Sequence, residues 1–205
     1  MSRAEWILLD FGNVISGYDF DPYIRFLVEN GTCSRDQVTE TVFGAGGLLD
    51  SYETGAIATE EFVSLTQQRV APRADSRQIE TAFSEIFEHW PTAIAVLPLL
   101  ASRFRLALIS DTNELHFDKM IAPIVTPHFD TVLLSYQIGR KKPDTAVFQA
   151  FLDRTHARPG MCLFFDDFQL NVDAARRIGI PSYRVSGPLG LRNACLRLGL
   201  IQLTT

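Results

Sequence analysis

Polar side chains that could carry out acid–base or metal chemistry follow three apolar runs of this 205-residue chain. Asp10 follows Trp-Ile-Leu-Leu, Ser110 and Asp111 follow Leu-Ala-Leu-Ile, and Asp166 and Asp167 follow Cys-Leu-Phe-Phe. Any one of them could be an ordinary turn former or helix cap. All three together indicate a shared site, because the carboxyl ends of parallel strands meet at one edge of a sheet, where ligands bind.

A cluster of carboxylates repels itself, so the sequence also predicts a positive partner for these groups. A divalent cation and a lysine are the obvious candidates. The segment Gly-Arg-Lys-Lys-Pro supplies Arg140, Lys141 and Lys142 in a loop after a further apolar run. Charge alone does not distinguish Lys141 from Lys142, since both lysines carry it.

The apolar runs span residues 6–9, 106–109, 131–134 and 162–165. Continuous runs are typical of strands buried on both faces, and therefore indicate a parallel sheet. Helical patterns alternate with the runs, which predicts a doubly wound α/β fold. Residues 21 to about 90 hold helical patterns and no convincing strand. The sequence therefore predicts a compact helical insert after the first strand.

Composition excludes several classes of protein. A net charge of -5 without a run of like charges gives no footprint for nucleic acid or an anionic membrane. Three widely spaced cysteines indicate neither a disulfide framework nor a zinc cluster. The sequence shows no signal-peptide pattern and no apolar stretch of roughly 20 residues. We expect a cytoplasmic protein in a reducing compartment that binds a small molecule.

Four segments of the chain resemble, in order and spacing, the motifs of the haloacid dehalogenase-like (HAD) hydrolase superfamily. They are LLDFGNVI, LALISDTNELH, SYQIGRKKPDTAVF and CLFFDDFQLNVDAARRIGI. The first is most similar to small phosphatases that open with Asp-x-Gly-Asn-Val. The resemblance implies a Rossmann-like HAD core formed by residues 1–16 and 91–205. It also implies a small all-helical cap, residues 17–90, inserted after the first strand.

The resemblance assigns catalytic and substrate-binding roles to individual residues. Asp10 matches the nucleophile, which attacks phosphorus and forms an aspartyl-phosphate that water then hydrolyses. Ser110 matches the hydroxyl that binds the transferring phosphoryl group. Lys142 matches the lysine that offsets negative charge on nucleophile and phosphate, and is preferred over Lys141 because it precedes a proline. Asp111 is counted with the substrate-binding residues, although related sequences more often carry Asn there, and its orientation is left open.

The resemblance also implies a magnesium ion, Mg2+, as cofactor. Its expected ligands are the carboxylates of Asp10 and Asp167 and the backbone carbonyl of Gly12. Asn171 matches the second polar position of the last motif, and its role is left open, as is the role of Asp166.

Gly12 is a departure from the family pattern, because many members carry an aspartate there as general acid and base. Its loss leaves two-step phosphoryl transfer possible but less assisted. Asp19 could substitute, although its place beside a helix start favours a structural role. The histidines are expected to be surface or cap-packing residues, and His116 alone is a candidate for a place near the site.

These observations predict a magnesium-dependent phosphatase that hydrolyses a small phosphorylated metabolite, by default a sugar phosphate. Two alternatives stay open. A 2-haloacid dehalogenase would use the same aspartate on carbon without a metal, and a phosphate-binding or regulatory protein would keep the fold with little turnover. The sequence names neither the substrate nor the oligomeric state.

Overall fold

A computed structural model describes residues 4–202 of the chain, and its central layer is a five-stranded sheet. The strands are β1 (Trp6–Leu9), β2 (Ser16–Tyr18), β3 (Phe87–His89), β4 (Arg105–Ser110), β5 (Thr131–Leu134), β6 (Cys162–Asp166) and β7 (Ser182–Arg184). The large sheet has the order β5-β4-β1-β6-β7, and each of its neighbouring pairs is parallel.

Helices cover both faces of this sheet and fill the segment between β2 and β3. They are α1 (Asp21–Glu29), α2 (Arg35–Phe43), α3 (Leu48–Glu53), α4 (Thr59–Arg69), α5 (Ser76–Ser84), α6 (Pro91–Ile94), α7 (Val96–Ala101), α8 (Glu114–His116), α9 (Ala122–Val125), α10 (Ser135–Ile138), α11 (Thr145–Thr155), α12 (Gln169–Arg177) and α13 (Gly190–Arg197). A π-helical turn covers Phe117–Ile121 and a 3-10 turn covers Pro159–Met161.

The central strand β1 shows why its apolar run is unbroken. Ile7 and Leu9 pack into the hydrophobic cluster on one face of the sheet, and Trp6 and Leu8 pack into the cluster on the other. A strand covered on both faces has no exposed position, so polar residues do not alternate along it. The predicted doubly wound α/β fold is confirmed.

Helices α1 to α5 form most of a third hydrophobic cluster, to which Ile86 and Leu115 of α8 also belong. The segment also contains a feature the sequence did not predict: β2 and β3, at its two ends, pair antiparallel. The expectation of no strand between residue 21 and about 90 is therefore wrong at Phe87–His89. Three residues carry no readable periodicity, and the partner strand lies far away along the chain.

The division into a core of residues 1–16 and 91–205 and a cap of residues 17–90 stays a prediction. Residues 1–3 and 203–205 of that core lie outside the described residues. Within residues 4–202, none of the helices combines the length and the apolar character needed to cross a bilayer.

The start of α1 places Asp19 in a structural role. Its Oδ1 accepts a hydrogen bond from the backbone N–H of Asp21 at 2.8 Å, and its side chain lies on the surface. This contact satisfies one of the free backbone donors at the beginning of the helix. Asp19 does not line the cavity described below.

Gly55, just after α3, allows the helical segment to approach α10 closely. Its φ is +68°, and a Cβ atom at this position would clash with the carbonyl oxygen of Tyr136. Gly46 shares the left-handed conformation, with φ +70°, but has open space around it. A substitution at Gly46 therefore tests backbone strain alone, whereas a substitution at Gly55 tests strain together with a steric clash.

We expect Gly46→Ala to lower the free energy of unfolding by about 1–2 kcal/mol, the cost of a left-handed alanine. Gly55→Ala should cost more, because the added methyl group also forces α3 and α10 apart. Urea unfolding of both variants and the wild type measures the difference. Equal losses would show that the approach of α3 to α10 is not tight.

Candidate active site

A cavity of about 320 Å³ lies beyond the carboxyl ends of β1, β4 and β6. Leu9 in β1 is opposite Leu108 in β4 and Phe165 in β6, so the three strands end side by side. Every residue given a catalytic, substrate-binding or metal-binding role on sequence grounds lines this cavity: Asp10, Gly12, Ser110, Asp111, Lys142 and Asp167.

Lys142 is the positive centre of the cavity. Its Nζ lies 2.9 Å from Asp10 Oδ1, 2.8 Å from Asp166 Oδ2 and 3.0 Å from the carbonyl oxygen of Ile109, and its side chain is 1% exposed. Burial acts to lower the pKa of Lys142, but the surrounding carboxylates raise it above its usual value. The ammonium group is therefore charged and fixed beside Asp10.

Lys141 points to different partners. Its Nζ lies 2.7 Å from Glu53 Oε2 and 3.2 Å from Asp50 Oδ1, both on α3. The structure thus separates the two lysines that share the same charge. Lys142 contacts Asp10, and Lys141 ties the loop to the helical segment.

Asp166 is fully buried and receives donors on both carboxylate oxygens. Its Oδ2 contacts Lys142, its Oδ1 accepts from the backbone N–H of Phe168 at 2.8 Å, and Asn171 Nδ2 donates to both oxygens at 3.0 and 3.1 Å. Because these donors occupy both of its carboxylate oxygens, Asp166 is favoured as the group that orients Lys142. The same contacts also explain Asn171, whose amide holds Asp166 from the first turn of α12.

Negative charge at the site exceeds the positive charge provided by Lys142. Asp10, Asp166 and Asp167 each place a carboxylate oxygen within 4.8 Å of the others. Burial raises the pKa of Asp10, Lys142 opposes this rise, and Asp166 adds to it. Three carboxylates around one ammonium group favour a bound cation.

The oxygen atoms at this place fit a hard divalent cation. The Gly12 carbonyl accepts no hydrogen bond from any residue in the range 4–202. Asn171 Oδ1 is buried and likewise finds no partner in the described chain. These two oxygens and the carboxylates of Asp10 and Asp167 belong to residues that line the same cavity, and oxygen ligands are the ones that such cations prefer.

The comparison with known proteins identifies the family. A family model described as haloacid dehalogenase-like hydrolase matches residues 56–185. The chain belongs to the haloacid dehalogenase-like hydrolase family. The predictions of the family, of its fold and of a hydrolase are confirmed, whereas the roles of the individual site residues stay predictions.

Relatives of this HAD family hydrolase cover most of its length. The D-ribitol-5-phosphate phosphatase of Bacteroides thetaiotaomicron is 22% identical over 186 residues, covering 87% of this chain and 90% of that protein. A hydrolase of Porphyromonas gingivalis, predicted to be HAD-like, superposes with a TM-score of 0.85 at 24% identity, covering 98% and 100% of the two chains. A HAD family enzyme of B. thetaiotaomicron in complex with magnesium and inorganic phosphate superposes with a TM-score of 0.80 at 22% identity, covering 89% and 94%. At these identities the structural likeness establishes the shared fold.

Tyr18 occupies the space beside Gly12 in this HAD family chain. A Cβ atom built at Gly12 would lie 2.8 Å from Tyr18 Cε1, so the ring would have to move for any side chain there. Burial and the charges of Asp167 and Asp10 raise the pKa of Tyr18. Sequence reasoning missed Tyr18, because its place over Gly12 depends on the pairing of β2 with β3.

Asp111 and Asn13 hold neighbouring parts of the site. Asp111 Oδ1 accepts a hydrogen bond from the backbone N–H of Lys142 at 3.0 Å, which settles its orientation and fastens the lysine loop to the end of β4. Asn13, with φ +54°, donates from Nδ2 to Asp167 Oδ2 at 3.0 Å. Sequence reasoning assigned Asn13 no role, although asparagine is one of the residue types that adopt the left-handed region most often. The Ser110 hydroxyl, by contrast, makes no hydrogen bond to any other described residue.

His116 is buried between the sheet and the helical segment. Its Nε2 donates to the carbonyl oxygen of Phe83 at 2.9 Å, and its Nδ1 accepts from Asn113 Nδ2 at 3.0 Å. The ring also stacks on Phe83, with 4.1 Å between centroids. Burial lowers the pKa of His116 to about 4, so the imidazole is neutral. His116 thus packs against the helical segment, and it also lines the cavity, as expected of this histidine alone.

The low pKa of His116 makes the stability of the protein depend on pH. The unfolded histidine binds a proton near pH 6.5, but the folded one does so only near pH 4. The contribution of the neutral imidazole to the free energy of unfolding is complete above pH 6.5. It is lost as pH falls towards 4, with a total loss of about 3 kcal/mol. Urea unfolding between pH 4 and 7 should show a smaller decline in His116→Gln than in the wild type.

The matched control is His128→Gln, at a histidine that makes no side-chain hydrogen bond to a described residue. It should keep the decline of the wild type. Parallel curves for His116→Gln and the wild type would contradict the low pKa.

Proposed function

We propose that the chain is a magnesium-dependent phosphatase that hydrolyses a small phosphorylated metabolite through a covalent intermediate on Asp10. The observation that carries this proposal is the position of Asp10 at the end of β1, where Lys142 binds one carboxylate oxygen inside a cavity. The other oxygen, Oδ2, accepts no hydrogen bond from a described residue. The D-ribitol-5-phosphate phosphatase to which the chain is similar supports a sugar or polyol phosphate as substrate.

In the first step an oxygen of Asp10 forms a bond to phosphorus while the bond from phosphorus to the ester oxygen breaks. Lys142 offsets the charge on Asp10 and on the phosphoryl oxygens. The Ser110 hydroxyl donates a hydrogen bond to a phosphoryl oxygen. The departing oxygen takes its proton from a donor other than residue 12, since Gly12 has no side chain that could supply one. Water then cleaves the aspartyl-phosphate and releases inorganic phosphate.

Asp10, Asp167 and the Gly12 carbonyl would hold the magnesium ion. When bound, magnesium supplies positive charge that lets the carboxylates and the substrate phosphate approach each other. Asn13 orients Asp167, and Asp166 orients Lys142. Asp111 was expected to bind substrate, but its bond to the Lys142 loop favours a role in positioning that lysine.

Phosphate release should depend on the metal. Chelation should lower turnover of a phosphate monoester by at least about 100-fold, because the unbalanced carboxylates then repel the substrate. Added magnesium should restore it. The measurement is release of inorganic phosphate from p-nitrophenyl phosphate and sugar phosphates, with and without EDTA. Metal-independent release of halide from a 2-haloacid would instead favour the dehalogenase alternative.

Asp10→Asn should lower kcat by at least about 10³-fold while the fold is kept, because the amide has nearly the same shape but is a poor nucleophile. Phosphate release and thermal unfolding measure the two effects. Asp19→Asn is the matched control, since it removes a nearby exposed carboxylate outside the cavity. Substantial turnover by Asp10→Asn would refute the covalent mechanism.

A further inference from the structure

Glu53 brings a carboxylate into the cavity that the proposed chemistry does not use. It is the last residue of α3 and belongs to the helical segment, whereas Asp10 and Ser110 belong to the sheet. Its side chain is 15% exposed. A carboxylate almost removed from water needs a charged or hydrogen-bonding partner.

Lys141 provides that partner and fixes the position of Glu53. Lys141 Nζ contacts Glu53 Oε2 at 2.7 Å and is itself held by Asp50 at 3.2 Å. The close approach at Gly55 keeps α3 against α10, the helix that precedes Lys141. Glu53 Oε1 accepts no hydrogen bond from any residue of the described range. It is an acceptor with a fixed position and a free oxygen.

The part of the cavity lining without a role in the proposed chemistry includes five apolar side chains: Phe20, Ile86, Phe87, Ile121 and Phe168. Besides Glu53, its polar residues are Tyr18, Thr112, His116 and Lys141. The ring nitrogens of His116 contact Phe83 and Asn113, and Lys141 contacts Glu53 and Asp50. A hydroxyl group placed in such surroundings needs an acceptor, and Glu53 supplies one. A carboxylate on the substrate would be repelled by the like charge of Glu53. Lys141 would not offset this repulsion, because it is already paired with two acidic groups.

We infer that Glu53, held by Lys141, is a specificity-determining residue that accepts a hydrogen bond from a hydroxyl group of the substrate. The preferred substrates are then phosphate esters of uncharged sugars or polyols, and phosphate esters of acids are disfavoured. This inference rests on the proposed phosphatase function. It extends that function, because it assigns to α3 the recognition of the group that is esterified to the phosphate.

Two substrates of equal chain length separate recognition from chemistry. D-ribitol 5-phosphate carries hydroxyl groups on four of its five carbons, and pentyl phosphate carries none. We expect the wild type to prefer the polyol ester. Glu53→Gln and Glu53→Ala should lower kcat/KM for D-ribitol 5-phosphate by about 10- to 100-fold, mainly through KM, and change that for pentyl phosphate no more than about twofold.

Asp50→Asn is the matched control, because Asp50 contacts the same lysine from the same helix but does not line the cavity. It should leave the ratio of the two kcat/KM values unchanged. Ribonate 5-phosphate, which has a carboxylate in place of the terminal CH2OH group, should be a poor substrate of the wild type and a relatively better one of Glu53→Gln. Because Gln preserves the volume of the side chain, that variant decides the question if Glu53→Ala fails to fold.

An equal fall in kcat/KM for both five-carbon esters would show that Glu53 only supports the structure, and would overturn the inference. Unchanged kcat/KM values for both esters in the two variants would overturn it as well. The phosphatase proposal itself would still stand in either case, since phosphate is released. If the wild type released no phosphate from any ester, including p-nitrophenyl phosphate with magnesium, the proposed function would fail and this inference with it.

Discussion

The buried ammonium group of Lys142 lies between Asp10 and Asp166 and also donates to the carbonyl of Ile109. Through these contacts one side chain connects the ends of β1, β6 and β4. A charge removed from water is tolerated only when it is paired and hydrogen-bonded. The position of the lysine and the alignment of the three strands therefore depend on each other. Asp111 and Asn171 support this arrangement by fixing the lysine loop and Asp166.

The remaining negative charge gives the site its chemical character. Lys142 is shared by two carboxylates, and Asp167 forms no ion pair with any of residues 4–202 and is held by the amide of Asn13. A site that keeps uncompensated carboxylates next to a free backbone carbonyl is suited to a cation and, through it, to an anionic substrate. Gly12 departs from the family pattern, and the ring of Tyr18 lies in the space that a side chain at this position would occupy.

The helical segment contributes a different kind of residue to the cavity. The strand ends and the loop that carries Lys142 supply the groups that would act on a phosphate, whereas α3 supplies Glu53, and β2 supplies Tyr18. The segment is joined to the sheet side by specific contacts, His116 with Phe83 and Lys141 with Glu53. Such contacts hold the two walls of the cavity in a defined relation. The side that each residue occupies in the cavity therefore follows from the element to which it belongs.

The amino-acid sequence by itself determined the strands β1, β4, β5 and β6, because burial on both faces leaves an unbroken apolar run that can be read locally. It also determined the convergence of Asp10, Ser110 and Asp167, since parallel strands end at one edge. Sequence similarity pointed to Lys142, but only the tertiary structure distinguished its contacts from those of Lys141. The pairing of β2 with β3, the ring of Tyr18 over Gly12 and the place of Glu53 were likewise decided by tertiary packing. These features join residues far apart in the chain, and no local period or spacing records which side chains meet when separate elements pack together.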